Sequence, residues 1–166
     1  MPCEKIIYRH FKGDYYLSFG SVTHSDGSKV VLYQKLLTGE VFVRPQDDWG
    51  EHIKCDEYEG PRFQLVKPMP LLKPGGHTLV VHCKKEPYDV YVGRPSKWGN
   101  DHKMIELKSK EEAIRKYIED LVNDPWLITY HLGELQGKVL GCFCAPQACH
   151  GDVLARLANS YNVPIV

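Results

Sequence analysis

Gly141-Cys142-Phe143-Cys144-Ala145-Pro146-Gln147-Ala148-Cys149-His150-Gly151-Asp152 is the stretch whose reading settles the fold class. With Val139-Leu140 in front of it, the run through Cys144 is apolar, short and strand-like. Behind it, Val153, Leu154, Leu157 and Ala158 recur at helical spacing and predict a last helix over Asp152 to Ser160. Ala145-Pro146-Gln147-Ala148 is the turn between the two. A strand that feeds a helix through a tight turn is the building unit of α/β domains, whose ligands bind beyond the carboxyl ends of the strands. Strand alternation puts Cys142 and Cys144 on one face. Cys149 and His150 fall where the helix begins.

The pattern extends upstream. Thr78 to Cys83 and Asp89 to Val92 read as further strands. Ser109-Lys110-Glu111-Glu112 fits a capping box, and behind it Ile114, Tyr117, Ile118, Leu121 and Val122 lie on one helical face. Asp124-Pro125 restarts the chain, with Pro125 suited to a first helical turn. The first 67 residues read differently. Tyr15 to Phe19, Lys29 to Tyr33, Val41 to Val43 and Arg62 to Val66 are short strands separated by turns such as Ser25-Asp26-Gly27-Ser28, the pattern of a small barrel or sheet. Between the halves, residues 68–76 hold three prolines and two glycines and predict a linker. The expected domains are therefore 1–67 and 77–166.

The 166 residues carry 21 Lys+Arg and 21 Asp+Glu. Each half is also balanced, with 9 basic and 10 acidic residues in 1–70 and 12 and 11 in the rest. Apolar residues at 43% and charged residues at 25% exclude disordered and collagen-like chains. No stretch approaches the roughly 20 apolar residues of a membrane span, so no membrane partner is expected. Neutral charge argues against non-specific nucleic-acid binding, which depends on neutralising phosphates. Met1 to Tyr8 lacks a signal-peptide core, and three of the six cysteines crowd between Cys142 and Cys149 rather than spreading along the chain. Together these predict a cytoplasmic protein with free thiols.

Three readings of the cysteine cluster stay open. Cys142, Cys144, Cys149 and His150 are the donors zinc prefers, although the adjacency of Cys149 and His150 strains a shared ion and would call on His82 or Cys83. The same groups could line a substrate pocket in which Cys149, His150 and Asp152 act chemically, the helix start attracting anions and lowering a thiol pKa. Or the cysteines pack as small core residues, with Asp152 complementing the helix dipole. A second dense segment, Tyr91-Val92-Gly93-Arg94-Pro95-Ser96-Lys97-Trp98-Gly99-Asn100, also follows a strand. Gly93 would let a ligand approach the backbone, Arg94 offers a planar fork for phosphate or carboxylate, Lys97 adds charge, Trp98 could stack on a base and Asn100 could read a polar edge. The alternative is that Trp98 covers the core and Arg94 pairs with an acid.

Tyr91 to Asn100, the Glu111-Glu112 helix start and Cys142-Phe-Cys-Ala-Pro-Gln-Ala-Cys-His-Gly-Asp-Val-Leu154 together resemble domain-of-unknown-function family 4326 over about residues 78–161. That family is widespread in phages and bacteria, which implies a phage-encoded chain. It usually continues Asn-Pro-Phe where this sequence has Asn100-Asp101-His102-Lys103. Tyr8-Arg9-His10-Phe11-Lys12-Gly13, Val31-Leu32-Tyr33-Gln34, Val43-Arg44-Pro45 and Pro61-Arg62-Phe63 are similar to domain-of-unknown-function family 1653, an SH3-like β module, over about residues 7–66. Neither resemblance implies a reaction. The expected fold is α+β overall: a small SH3-like β-barrel followed by a Rossmann-like three-layer α/β domain. The expected function is binding of a nucleotide, nucleoside or similar phosphate-bearing ligand by the α/β domain, with action on that ligand left open. The alternative is a non-enzymatic, zinc-stabilised adaptor whose β module contacts a macromolecule.

Overall fold

The computed structural model describes residues 5–70, 72, 75–103, 107–124 and 126–162. Pro125, and Leu71, Lys73 and Pro74 of the expected linker, lie outside these. The chain divides into two compact units between Met69 and Pro70.

The N-terminal unit is β-rich. Strands β1 (Ile6–His10), β2 (Tyr15–Thr23), β3 (Lys29–Lys35), β4 (Val41–Pro45) and β7 (Phe63–Pro68) form one antiparallel sheet in the order β4-β3-β2-β1-β7. Alternation buries Ile7, Leu17 and Phe19 completely on one side, joined by Leu36 just past β3. The expected barrel does not close. The chain between β4 and β7 forms a one-turn helix, α1 (Gln46–Trp49), and a hairpin of β5 (His52–Cys55) and β6 (Tyr58–Pro61). Among the described residues those two strands pair only with each other, and no strand joins edge strand β4 to edge strand β7. What α1 contributes is Trp49, whose ring stacks 3.9 Å from Phe63 and meets Tyr33 and Tyr8 edge-on.

The C-terminal unit is built on three short parallel strands, β8 (Leu79–His82), β10 (Val139–Cys142) and β9 (Val90–Tyr91), in the order β8-β10-β9. Tyr88, in the β8–β9 connection, lies flat over Gly141 of β10; a Cβ there would stand 2.5 Å from the ring. This connection therefore crosses one face of the sheet. The other face, through Leu140 and Cys142, is covered by α3 (His150–Ala158). Helix α2 (Lys110–Asn123) packs on α3. Ser109 Oγ caps α2 by accepting the Glu112 N–H at 3.1 Å, and Ala113, Ile114, Tyr117, Ile118, Leu121 and Val122 form its buried stripe. After α2, the Asp124 carboxylate accepts the N–H groups of Trp126 and Leu127, and the chain continues as a π-helical turn (Leu127–His131) and a 3-10 turn (Leu132–Leu135) rather than an α-helix. Thr78 and Asn159 exchange two hydrogen bonds of 2.7 and 2.8 Å, tying the end of α3 to the start of β8. Strand β10 stops at Cys142, two residues earlier than expected, because Cys144 is already the first residue of a turn closed by the Gln147 N–H.

His10 in the first unit carries a pH-dependent prediction. Its ring lies against Phe11 and Phe63, and its Nδ1 accepts the Lys12 N–H. Burial first, then the charges of Arg62, Lys12 and Arg44, lower its pKa to about 4 against the opposing pull of Asp14. The unfolded chain holds the ordinary value near 6.5 and so takes up the proton first as pH falls. Stability from this group is full above pH 6.5 and is lost as pH drops towards 4. The urea midpoint of the wild type, read from near-ultraviolet dichroism of the packed aromatic rings, should fall more steeply over that window than that of His10→Gln. Equal slopes would contradict this.

Candidate functional site

Both motif loops meet at one cavity of about 540 Å³ beyond the carboxyl ends of β9 and β10. Gly93, Arg94 and Asn100 line it from one side, and Cys142, Cys144, Cys149 and His150 from the other. The first loop is compact. The N–H of Ser96 bonds to the Gly93 carbonyl and that of Gly99 to the Ser96 carbonyl, each at 2.9 Å. Tyr91 donates its hydroxyl to the Arg94 carbonyl, and a Cβ at position 93 would collide with that hydroxyl. Asn100 donates to the Ala113 carbonyl of α2 at 3.0 Å and accepts the His102 N–H, so its amide serves first to hold the loop end.

Lys97 and Trp98 do not line the cavity. Lys97 pairs with Glu134 at 2.6 Å, and Glu134 also binds His131. Trp98 is 2% exposed, so neither face of its ring is open to a base; it is a core side chain. Tyr117, buried on α2, donates to the Trp98 carbonyl at 2.9 Å and sets its ring edge-on to His150 at 4.9 Å, which links the loop to the start of α3.

The start of α3 is closed on itself. Cys149, in extended conformation, is its N-cap: its sulfur accepts the Asp152 N–H, and Asp152 Oδ2 accepts the Cys149 N–H at 2.8 Å. Asp152 is thus committed to the cap and is not a lining residue. The expected anion attraction of a free helix start is reduced, since its donors already have acceptors. Cys149 receives a hydrogen bond from the Cys142 thiol and backbone bonds from Asp152 and Gly151, and these hold its pKa below the usual thiol value despite burial and the Asp152 charge. Cys144 donates to Cys142, and this bond together with burial raises its own pKa. Cys142 is pulled down by that bond from Cys144, but its donation to Cys149 and its burial leave it raised. His150 donates Nε2–H to the Val92 carbonyl at 2.7 Å; burial lowers its pKa, opposed by that bond. One ligand atom from each of Cys142, Cys149 and His150 lies within 4.8 Å of the others, so these three could hold a metal. Cys144, His82 and Cys83 do not join them. The five described cysteines are free.

The sequence alone left out the rest of the lining. His102 and Lys103 come from the segment that departs from the family pattern, and Lys110 comes from the first turn of α2. Arg94, Lys103 and Lys110 face the cavity, and among the described residues no carboxylate lines it. The departure at Asp101-His102-Lys103 was the available signal.

Residues 78–160 match the family model described as Domain of unknown function (DUF4326). The chain belongs to the DUF4326 family. Both motif loops of the cavity fall inside the matched segment. Residues 6–65 match a second model, Protein of unknown function (DUF1653). This DUF4326 chain is 35% identical over 83 residues to an uncharacterized 12.4 kDa protein of the nrdA-td intergenic region of Enterobacteria phage T4, covering 48% of this chain and 76% of the phage protein. It is also similar to the crystal structure of a DUF1653 protein from Bordetella bronchiseptica, at 30% identity and a TM-score of 0.34, over 36% of this chain and 81% of that one. Among the described residues no helix is long and apolar enough to cross a membrane.

Proposed function

We propose that the C-terminal unit binds a small anionic ligand of the nucleotide or nucleoside-phosphate class in the cavity between the Gly93–Asn100 loop and the Cys142–His150 turn. The observation that carries this reading is the lining itself: among the described residues, three cationic side chains with no carboxylate, and a thiol- and imidazole-bearing wall around one cavity. The volume lies within the roughly 300–1,000 Å³ range of small-molecule sites. The position, past the carboxyl ends of parallel strands, is where Rossmann-like sheets bind ligands. Arg94 supplies the fork for a phosphate, Lys103 and Lys110 add charge, and the apolar side chains of Tyr91, Ile114 and Phe143 suit the uncharged part of a nucleotide. In this proposal Cys149 and His150 are the lining groups assigned to act on what is bound.

Thermal denaturation of the full chain with inorganic phosphate, nucleosides and nucleoside mono- and triphosphates tests this. A true ligand at a hundredfold its Kd stabilises by about 2.7 kcal/mol, a rise of several degrees in Tm. Phosphate-bearing compounds should outrank the matching nucleosides. No stabilisation by any of them at millimolar concentration would overturn the reading.

A further inference from the structure

Three groups on the cavity wall are arranged more closely than a pocket for an organic anion requires. Cys142, Cys149 and His150 are buried, at 2%, 2% and 8% exposure. Their ligand atoms lie within 4.8 Å of one another. A tetrahedral zinc, with bonds of about 2.3 Å to sulfur and 2.0–2.1 Å to nitrogen, sets its ligand atoms roughly 3.5–3.8 Å apart. A contraction of at most about 1.3 Å therefore brings this trio into coordination range.

The objection that adjacent residues cannot share an ion is answered by the backbone. Cys149 is extended, with φ −152° and ψ 172°, whereas His150 is the first helical residue. The change of direction between them turns both side chains onto the same cavity. The histidine is also in the required state. Its Nε2 faces a carbonyl, which only accepts, so the proton is on Nε2 and the lone pair is on Nδ1. A ligating histidine characteristically gives its other N–H to a carbonyl or carboxylate in this way. Two sulfurs and one imidazole nitrogen are the borderline-soft set that suits zinc. Among the described residues no carboxylate and no further cysteine completes the set: Cys144 bonds to Cys142 from outside it.

We propose that Cys142, Cys149 and His150 form a three-ligand site for a zinc-class cation, with the fourth position open to the cavity. Three protein ligands and one open position is the pattern of catalytic rather than structural zinc. The ion would place a Lewis acid, or a bound water of lowered pKa, against the cavity's ligand. The site shares its cavity with the anion reading but does not rest on it.

The test is titration of the reduced, chelator-stripped full chain with cobalt(II). One equivalent should produce an intense thiolate-to-cobalt charge-transfer band and the visible bands of a tetrahedral ion, both erased by one equivalent of zinc. Cys142→Ser should roughly halve the charge-transfer intensity, leaving one thiolate of the two, and weaken binding by more than the 10–100-fold typical of changes beyond the ligands themselves. Cys144→Ser, outside the trio but bonded to Cys142, should keep the full band and change affinity by no more than that 10–100-fold. Cys149→Ser keeps an oxygen able to cap α3, and its helical dichroism reports whether it has folded; if it has not, the Cys142→Ser intensity decides. Absence of the charge-transfer band in the wild type, its loss in Cys144→Ser, or its full retention in Cys142→Ser would overturn the site. A cobalt band without stabilisation by phosphate compounds defeats the anion reading alone, and stabilisation without the band defeats the metal site alone.

Discussion

Trp98→Ala should destabilise the C-terminal unit by about 3–5 kcal/mol, the ordinary cost of emptying a large aromatic from a packed core. Trp98 is 2% exposed, and it is among the largest fully buried side chains of the chain. Its backbone carbonyl anchors the Tyr117 hydroxyl, and Tyr117 in turn supports the His150 ring. The damage should therefore spread to the start of α3. The helical dichroism signal isolates the effect, because among the described residues both α-helices longer than one turn, α2 and α3, belong to this unit. The same experiment separates core from platform. A stacking platform would lose ligand affinity on truncation and keep its urea midpoint. A core residue loses the midpoint, and Trp98→Phe recovers part of it. An unchanged midpoint in Trp98→Ala would return Trp98 to the ligand.

The contrast between Trp98 and Arg94, four residues apart in one loop, shows how far the sequence could be read. Local signals were legible where a local rule acts. Ser109 and Glu112 mark the start of α2 because capping is settled within four residues, and the apolar period marks its buried face. The short strands of the first unit were legible from turn residues and β-branched runs. Closure of that sheet was not, since it depends on whether β4 and β7 find a common partner, and the intervening hairpin pairs with itself. At the site, the two motif loops were visible as dense segments after strands. Which side chain of each faces the cavity was not, because Trp98 and Arg94 carry equally plausible ligand chemistry and only packing sorts them. The charge of the cavity was hidden for another reason. A neutral total says nothing about local sign when Arg94, Lys103 and Lys110 gather at one opening, while Asp152 is taken up by a helix cap and Glu134 by Lys97.

That local sign makes Arg94→Ala the sharpest test of the binding reading. Its side chain lines the cavity, and among the described lining residues no carboxylate competes with an incoming anion. Lys97, in the same loop, is already engaged by Glu134, and Lys110 also donates to Gln147 at 3.2 Å. Hydrogen bonds to a charged partner contribute about 1.5–3 kcal/mol each way they are broken, and each 1.4 kcal/mol is tenfold in affinity. Arg94→Ala should weaken the binding of a phosphate-bearing ligand roughly 10–100-fold by calorimetry. Stability without ligand should stay within about 0.5 kcal/mol, because the side chain is exposed and the loop is held by backbone bonds and by Tyr91. Arg94→Lys should recover only part of the loss, since an ammonium keeps the charge but not the two-pronged geometry. The matched control is Lys97→Ala, in the same loop and of the same charge change, but outside the lining: it should leave affinity unaltered. Equal losses in the two variants would mean that long-range charge rather than a built contact holds the anion. No loss in Arg94→Ala would remove the cavity's principal anion contact and, with it, the proposed ligand class.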